Sequence, residues 1–171
     1  VRGRKPLAGK SALDVGCGAG LLCEPLARLG AHVTGVDAAP ENIAAAALHA
    51  EAGGLDIRYM AGELGALDLG QFDLVTCLEV IEHVADKGAF VHQLAESLAD
   101  DGLLILSTPN RTAKSRLLMV TAAETAGLIP RGTHDWDDFI APDDLEQLLA
   151  AAVLQMGEPR GIAFSPTKGL H

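Results

Sequence analysis

The stretch Leu13-Asp14-Val15-Gly16-Cys17-Gly18-Ala19-Gly20 decides the fold, because it joins an apolar strand to a glycine turn. Apolar residues at helical spacing follow from Leu21 to Leu29, so the turn leads into a helix. Three alternate glycines let the backbone bend sharply and leave no Cβ between the chain and a ligand. The free amides at the start of the helix would face that ligand. The stretch therefore predicts a strand, a nucleotide-cofactor site and a helix.

Length, composition and charge restrict the class of protein. The 171 residues allow one domain with a core, and a hydrophobic fraction of 49% excludes a disordered chain. The net charge of −10 argues against a general nucleic-acid binder, which needs a basic surface to meet phosphates. The three cysteines lack metal-type spacing, and the sequence contains no signal peptide or membrane-spanning apolar run. We therefore expect a cytoplasmic protein with no nucleic-acid partner.

Strand and helix patterns alternate along the chain. Strands are predicted at Ser11–Val15, His32–Asp37, Ile57–Ala61, Phe72–Leu78 and Leu103–Thr108, and from about Gln155 to Phe164. Helices are predicted at about Gly20–Leu29, Glu41–Ala52, 89–98 and Asp143–Ala152. The predicted fold is α/β, a doubly wound and mostly parallel sheet. Its ligand would lie at the carboxyl ends of the strands.

Asp37 is the strongest single candidate for a ligand contact. It ends the second predicted strand, and a βαβ unit brings that position beside the glycine turn. A carboxylate there can accept hydrogen bonds from both hydroxyls of a ribose. Its alternative role is to cap the helix that begins near Pro40. Asp14, just before the turn, suits an ammonium group or a water shell better than it suits a pyrophosphate.

The glycine spacing distinguishes between two kinds of cofactor. The order G-x-G-x-G differs from the G-x-G-x-x-G turn of Rossmann dehydrogenases, so an NAD-binding oxidoreductase is disfavoured. The spacing resembles motif I of the class I methyltransferases, which use S-adenosylmethionine (SAM). This resemblance implies a Rossmann-like fold that binds SAM through residues near the strand ends, namely Asp14, Gly16, Gly18, Gly20, Asp37, Glu63 and Leu78.

The segment Glu79-Val80-Ile81-Glu82-His83-Val84 resembles the E-x-x-E-H-V segment that follows strand four in many small-molecule methyltransferases. In a helix, Glu79, Glu82 and His83 would share one face and could hold a divalent ion such as Mg²⁺. Mg²⁺ prefers oxygen ligands, so the imidazole weakens this interpretation. In the alternative, Glu82 forms a cap or an ion pair, and His83 packs over the cofactor or positions the substrate.

The segment after the fifth strand is more specific than the glycine turn. Its motifs are Thr108-Pro109-Asn110-Arg111, Lys114-Ser115, Gly132-Thr133-His134-Asp135-Trp136 and Phe139-Ile140-Ala141-Pro142. Together they resemble the ubiquinone biosynthesis O-methyltransferases, and with the earlier motifs the resemblance covers nearly the whole chain. It implies one methyltransferase domain, 1–171, with a substrate-facing and membrane-facing insertion at about 110–138. It also implies that Mg²⁺ occupies the three positions named above, as in the eukaryotic members.

The resemblance implies a reaction and its partners. The acceptors would be phenolic hydroxyls of polyprenylated catechol-type intermediates, 2-polyprenyl-6-hydroxyphenol and 3-demethylubiquinol. The phenol must lose a proton, and His83 and His134 are the candidate bases because imidazole titrates nearest neutral pH. Apolar residues flanked by Lys114, Arg116 and Arg131 predict peripheral contact with an anionic surface, the inner membrane. Other proteins of ubiquinone biosynthesis are further expected partners.

Three alternatives stay open at this point. The insertion could be an ordinary amphipathic helix packed on the sheet. The protein could be another small-molecule SAM methyltransferase, or a SAM-binding protein without catalytic activity.

Methyltransferases of this fold end with a strand that inserts antiparallel into the sheet, and the sequence reaches His171 too soon to include it. We therefore expect that last strand, and a piece before Val1, to be missing.

Overall fold

The computed structural model describes residues 5–111 and 139–161, and the backbone of Phe164–Ser165 and Gly169–Leu170. One parallel sheet contains β1 (Ser11–Val15), β2 (His32–Asp37), β3 (Ile57–Ala61), β4 (Phe72–Leu78) and β5 (Leu98–Ser107). The strands lie in the order β3-β2-β1-β4-β5. The chain changes direction across the sheet between β1 and β4, which is where doubly wound sheets bind ligands. The predicted α/β fold class is confirmed.

Helices cover both faces of the sheet. They are α1 (Cys23–Arg28), α2 (Pro40–Ala52), α3 (Lys87–Glu96) and α4 (Pro142–Ala151), with 3₁₀ turns at Leu64–Ala66 and Ile81–His83. Alternation along β1 assigns its side chains to two cores. Leu13 and Val15 pack in a core that includes side chains of α3 and α4. Ala12 packs on the opposite face with Cys23 and Leu26 of α1.

The predicted bounds differ from the structure by more than two residues at three places. Helix α1 begins at Cys23 rather than near Gly20, because Gly20 has a positive φ of 81° and still belongs to the turn. Strand β5 begins at Leu98, before the predicted Leu103. The strand predicted from Gln155 to Phe164 is wrong over residues 155–161, which form no helix or strand because Gly157, Pro159 and Gly161 interrupt any ladder. Phe164 itself lies in the short strand Phe164–Ser165.

The end of the described chain lies outside the main sheet. Strands β6 (Phe164–Ser165) and β7 (Gly169–Leu170) pair only with each other, in antiparallel register. Most of the predicted insertion, residues 112–138, lies outside the described residues. Within the described residues, no helix is long and apolar enough to cross a membrane.

Candidate cofactor and active site

The sheet brings most of the predicted site residues to one edge. The carboxyl ends of β3, β2, β1 and β4 lie side by side, because these strands are parallel neighbours. In that spatial order, Glu63 follows β3, Asp37 is the last residue of β2, the glycine turn follows β1, and Leu78 is the last residue of β4. Glu63 is exposed, and Leu78 is 39% exposed at the end of β4. The candidate site is therefore a row of four loops along the sheet edge.

The three glycines of the turn have different surroundings. All three have a positive φ, at 72° for Gly16, 53° for Gly18 and 81° for Gly20. A Cβ at Gly16 would collide with the side chain of Val80, and one at Gly20 with the hydroxyl of Tyr59. Around Gly18, by contrast, no atom of the described residues other than Gly18 and its two chain neighbours lies within 4 Å of a Cβ. Gly18 thus leaves open space for a ligand, whereas Gly16 and Gly20 are required by packing.

Asp37 connects the end of β2 to this turn. Its Oδ2 accepts a hydrogen bond from the Gly18 amide at 2.8 Å. Its Oδ1 accepts one from the Ala39 amide at 2.9 Å and one from the Asn42 side chain at 3.0 Å. A carboxylate has about four acceptor positions, so capacity for a ribose hydroxyl remains. The alternative role as helix cap is wrong, because Ala39 is the N-cap of α2 and Asp37 lies before it.

Asp14 lies inside the protein, between β1, β4 and α1. It is only 4% exposed. Its Oδ1 accepts a hydrogen bond from the Thr76 hydroxyl at 2.6 Å, and its Oδ2 accepts one from the Cys23 thiol at 3.4 Å. Burial raises the pKa of Asp14, although the Thr76 and Cys23 hydrogen bonds lower it. In this arrangement Asp14 fixes the elements that carry the turn, and its contact with the cofactor stays a prediction.

Replacing Asp14 with asparagine is expected to change how stability depends on pH. A carboxyl group whose pKa is raised in the folded state binds its proton more tightly when folded. Its contribution to stability is complete below the ordinary pKa of 3.8 and is lost as the pH rises through the raised pKa. The free energy of unfolding of the wild type should therefore fall relative to Asp14→Asn as the pH rises from the ordinary pKa of 3.8 through the raised pKa. Urea unfolding without SAM measures this, and parallel pH profiles would contradict it.

The E-x-x-E-H-V segment does not form the helix that the metal prediction requires. It contains a single 3₁₀ turn, Ile81–His83. Glu79 precedes that turn with a φ of 56°, and its Oε1 accepts a hydrogen bond from the Ser107 hydroxyl at 2.6 Å. The expectation that Glu79, Glu82 and His83 share one helical face is therefore wrong. Across residues 5–111 and 139–161, no three His, Cys, Asp or Glu side chains are arranged to hold a metal ion.

Glu82 contributes a buried carboxyl group at the end of β4. It is 2% exposed, and its Oε2 accepts a hydrogen bond from the Thr108 hydroxyl at 3.1 Å. Its Oε1 has no hydrogen-bond partner among the described residues. Burial raises the pKa of Glu82, and the nearby charge of Glu79 adds to this effect. The Glu82–Thr108 contact links the segments that follow β4 and β5. It corresponds neither to a metal-binding face nor to a role of Glu82 as a helix cap or ion-pair partner.

Sequence reasoning missed the residues that hold the site together. Thr76, Ser107 and Asn42 donate hydrogen bonds to Asp14, Glu79 and Asp37. Only Thr76 gave a signal, as a polar residue inside the apolar run of β4. His83 is exposed on its turn, next to the end of β4. The second predicted base, His134, and the basic residues Lys114, Arg116 and Arg131 lie outside the described residues.

Known proteins share both the sequence and the fold. A family described as a methyltransferase domain matches residues 3–156. The ubiquinone biosynthesis O-methyltransferase of Azorhizobium caulinodans is 47% identical, over 99% of this chain and 68% of the relative. A protein of the same name from Caulobacter sp. (strain K31) is 47% identical, over 98% of this chain and 68% of the relative. The chain thus spans about two thirds of the length of these relatives.

A solved structure connects the fold to its cofactor. Magnesium protoporphyrin IX methyltransferase from Synechocystis PCC 6803, with bound SAH, matches with a TM-score of 0.75 and 27% identity. The match covers 96% of this chain and 73% of that chain. The open space at Gly18 and the nearby carboxylate of Asp37 suit a nucleoside cofactor of this type. The chain belongs to the SAM-dependent methyltransferases and, among them, to the ubiquinone biosynthesis O-methyltransferase family.

Proposed function

We propose that this O-methyltransferase acts on a phenolic hydroxyl of polyprenylated catechol-type intermediates. The proposed acceptors are 2-polyprenyl-6-hydroxyphenol and 3-demethylubiquinol. The observation that carries the proposal is the 47% identity with a ubiquinone biosynthesis O-methyltransferase over nearly the whole chain. Another small-molecule acceptor, or SAM binding without turnover, is the alternative that the experiment below distinguishes.

The reaction requires alignment of donor and acceptor. SAM, when bound, supplies a methyl group on its sulfonium sulfur. A bond forms between the phenolate oxygen and the methyl carbon while the carbon–sulfur bond breaks, which leaves a neutral thioether. The protein has to hold the two groups in line and exclude water. In this proposal Asp37 and the Gly18 turn hold the ribose side of the cofactor, Glu63 lies near the adenine and Leu78 packs against the methionine part.

His83 is the proposed acceptor of the phenol proton. It follows β4 on the 3₁₀ turn, at the same edge of the sheet as Leu78. Imidazole is the side chain whose charge changes closest to neutral pH, so it suits general base catalysis. His134 is the second candidate, on the strength of its sequence motif alone. Removal of the proton before or during transfer gives the oxygen the lone pair that attacks the methyl carbon.

Mg²⁺ is not part of the proposed reaction. The carboxylates of Glu79 and Glu82 bond to the hydroxyls of Ser107 and Thr108, so these side chains do not form a ligand set in the observed conformation. The positions named for the metal therefore do not fit it. Peripheral contact with an anionic membrane surface is proposed from the sequence of the insertion, where Lys114, Arg116 and Arg131 flank apolar residues.

The test measures methyl transfer from labelled SAM to a short-chain polyprenyl catechol by the full-length protein, with and without EDTA. We expect product in both conditions, and loss of product in His83→Asn but not in a matched control, His92→Asn, which alters an exposed imidazole on α3. Equal turnover of catechols without a prenyl tail would favour a broader acceptor range. SAM binding without product from any phenol would refute the proposal. Faster turnover with anionic vesicles than with neutral ones would support membrane contact.

A further inference from the structure

The two ends of the insertion meet beside the candidate active site. After β5 the chain passes through Asn110, which forms a parallel bridge with Ile140 on the returning segment. The Arg111 amide donates a hydrogen bond to the Ile140 carbonyl at 3.3 Å. Ile140 is buried in the core that includes Leu94 of α3 and Leu149 of α4. The returning segment is thus anchored, and it holds the outgoing segment in a defined position.

An ion pair reinforces this junction. Arg111 Nη2 lies 2.7 Å from Oδ2 of Asp144, in the first turn of α4. The two side chains are 40% and 50% exposed, and exposed pairs contribute little to global stability. The pair nevertheless restrains where Arg111 lies relative to α4. Its main effect is therefore local, on the few residues that follow β5.

The same residues contact the end of β4. Thr108 lies between Ser107, the last residue of β5, and the junction at Arg111. Its hydroxyl donates the hydrogen bond to Glu82. Asp144 is therefore connected to Glu82, directly before His83, by the ion pair with Arg111, the two intervening residues 109–110 of the chain, and the hydrogen bond from Thr108. The hydrogen bond from the Gly18 amide to Asp37, which holds the cofactor turn to the end of β2, is not one of these contacts.

We propose that Arg111 and Asp144 are positioning residues for the acceptor. Their ion pair holds the segment after β5, so that Thr108 keeps the turn of Glu82 and His83 in the orientation that in-line transfer requires. This inference rests on the proposed function, because it assigns the acceptor and its base to the β4 and β5 side of the sheet. Breaking the pair should impair use of the acceptor and leave SAM binding intact.

The test compares Asp144→Asn with Asp143→Asn in the full-length protein. Each change removes one negative charge from the first turn of α4, but Asp143 forms no ion pair with the described residues. We expect kcat/KM for the prenylated catechol to fall about tenfold in Asp144→Asn only. The Kd for SAM and the melting temperature should stay close to the wild-type values. The charge-reversed pair Arg111→Asp/Asp144→Arg should recover most of the loss.

Two further measurements distinguish a positioning role of Arg111 and Asp144 from a purely structural one. They are the energetic coupling of Asp144→Asn with Thr108→Val and the hydrogen exchange of the Arg111 amide. In a Thr108→Val background, Asp144→Asn should have little additional effect on kcat/KM, because the connection to Glu82 is already broken. The Arg111 amide should exchange faster in Asp144→Asn and not in Asp143→Asn. If Asp144→Asn fails to fold, Arg111→Gln removes the same pair from the other side.

Three results would overturn the inference. These are unchanged exchange at Arg111, faster exchange with unchanged kcat/KM, and full additivity of Asp144→Asn with Thr108→Val. Absence of methyl transfer by the wild type is a different failure, because it would refute the proposed function. The exchange measurement needs no turnover, so it distinguishes a missing activity from a junction that does not hold the segment.

Discussion

Replacing Asp37 with asparagine is expected to weaken SAM binding by about 10-fold to 100-fold. The carboxylate of Asp37 accepts hydrogen bonds from the Gly18 amide on one oxygen and from Ala39 and Asn42 on the other. Asparagine has the same shape but only one acceptor oxygen, and its other side is a donor. A donor would therefore face a donor in either orientation of the amide.

The size of the effect follows from the charge of the acceptor. Hydrogen bonds to a charged group contribute about 1.5–3 kcal/mol, and each 1.4 kcal/mol corresponds to about a tenfold change in affinity. If the amide group of the new asparagine faces Gly18, the turn loses its connection to β2. If it faces Ala39, the start of α2 loses a contact instead, and a ribose hydroxyl still meets a weaker acceptor.

Calorimetric titration with SAM measures this effect, and Glu41→Gln is the matched control. Glu41 is exposed in the first turn of α2 and forms no ion pair with the described residues, so the control changes the net charge equally. We expect the control to bind SAM as the wild type does. Equal affinity of Asp37→Asn and Glu41→Gln for SAM would show that the carboxylate does not contribute to the cofactor site.

The strands and the position of the cofactor turn could be predicted because their signals are local. Strands β1 to β4 have the bounds that the apolar runs and turn residues predict. The parallel order then places Asp37 beside Gly18 without any knowledge of side-chain contacts. The contact is observed at 2.8 Å. The spacing of apolar residues and the number of residues between strands were sufficient for this prediction, because a βαβ unit has only one common handedness.

The contacts that shape the β4 and β5 side could not be predicted in the same way. Whether Glu79 begins a helix depends on Ser107, which is 28 residues away along the chain and adjacent only in the sheet. The positive φ of Glu79 has no sequence signal, because glutamate rarely adopts it. The spacing of Glu79, Glu82 and His83 alone predicted a metal-binding face. In the structure, the carboxylate of Glu79 instead bonds to Ser107 and that of Glu82 bonds to Thr108.

Replacing Gly16 with alanine is expected to lower the free energy of unfolding by about 2–5 kcal/mol. Gly16 has a φ of 72°, and a left-handed conformation costs an alanine about 1–2 kcal/mol. The new Cβ would also collide with the side chain of Val80, and overpacking of this kind costs about 1–3 kcal/mol more. Chemical unfolding monitored by circular dichroism, without SAM, measures the sum of the two costs.

A matched control separates the backbone cost from the collision with Val80. Gly70 has a similar φ of 76°, and apart from its two chain neighbours no described residue has an atom within 4 Å of a Cβ there. Gly70→Ala should therefore show the backbone cost alone. Val80→Ala should recover part of the loss in Gly16→Ala, with a coupling energy of at least about 1 kcal/mol. If Gly16→Ala costs no more than Gly70→Ala, the contact between the turn and Val80 is not tight. A cost that Val80→Ala relieves would show instead that this glycine is required because the segment after β4 packs directly on the cofactor turn.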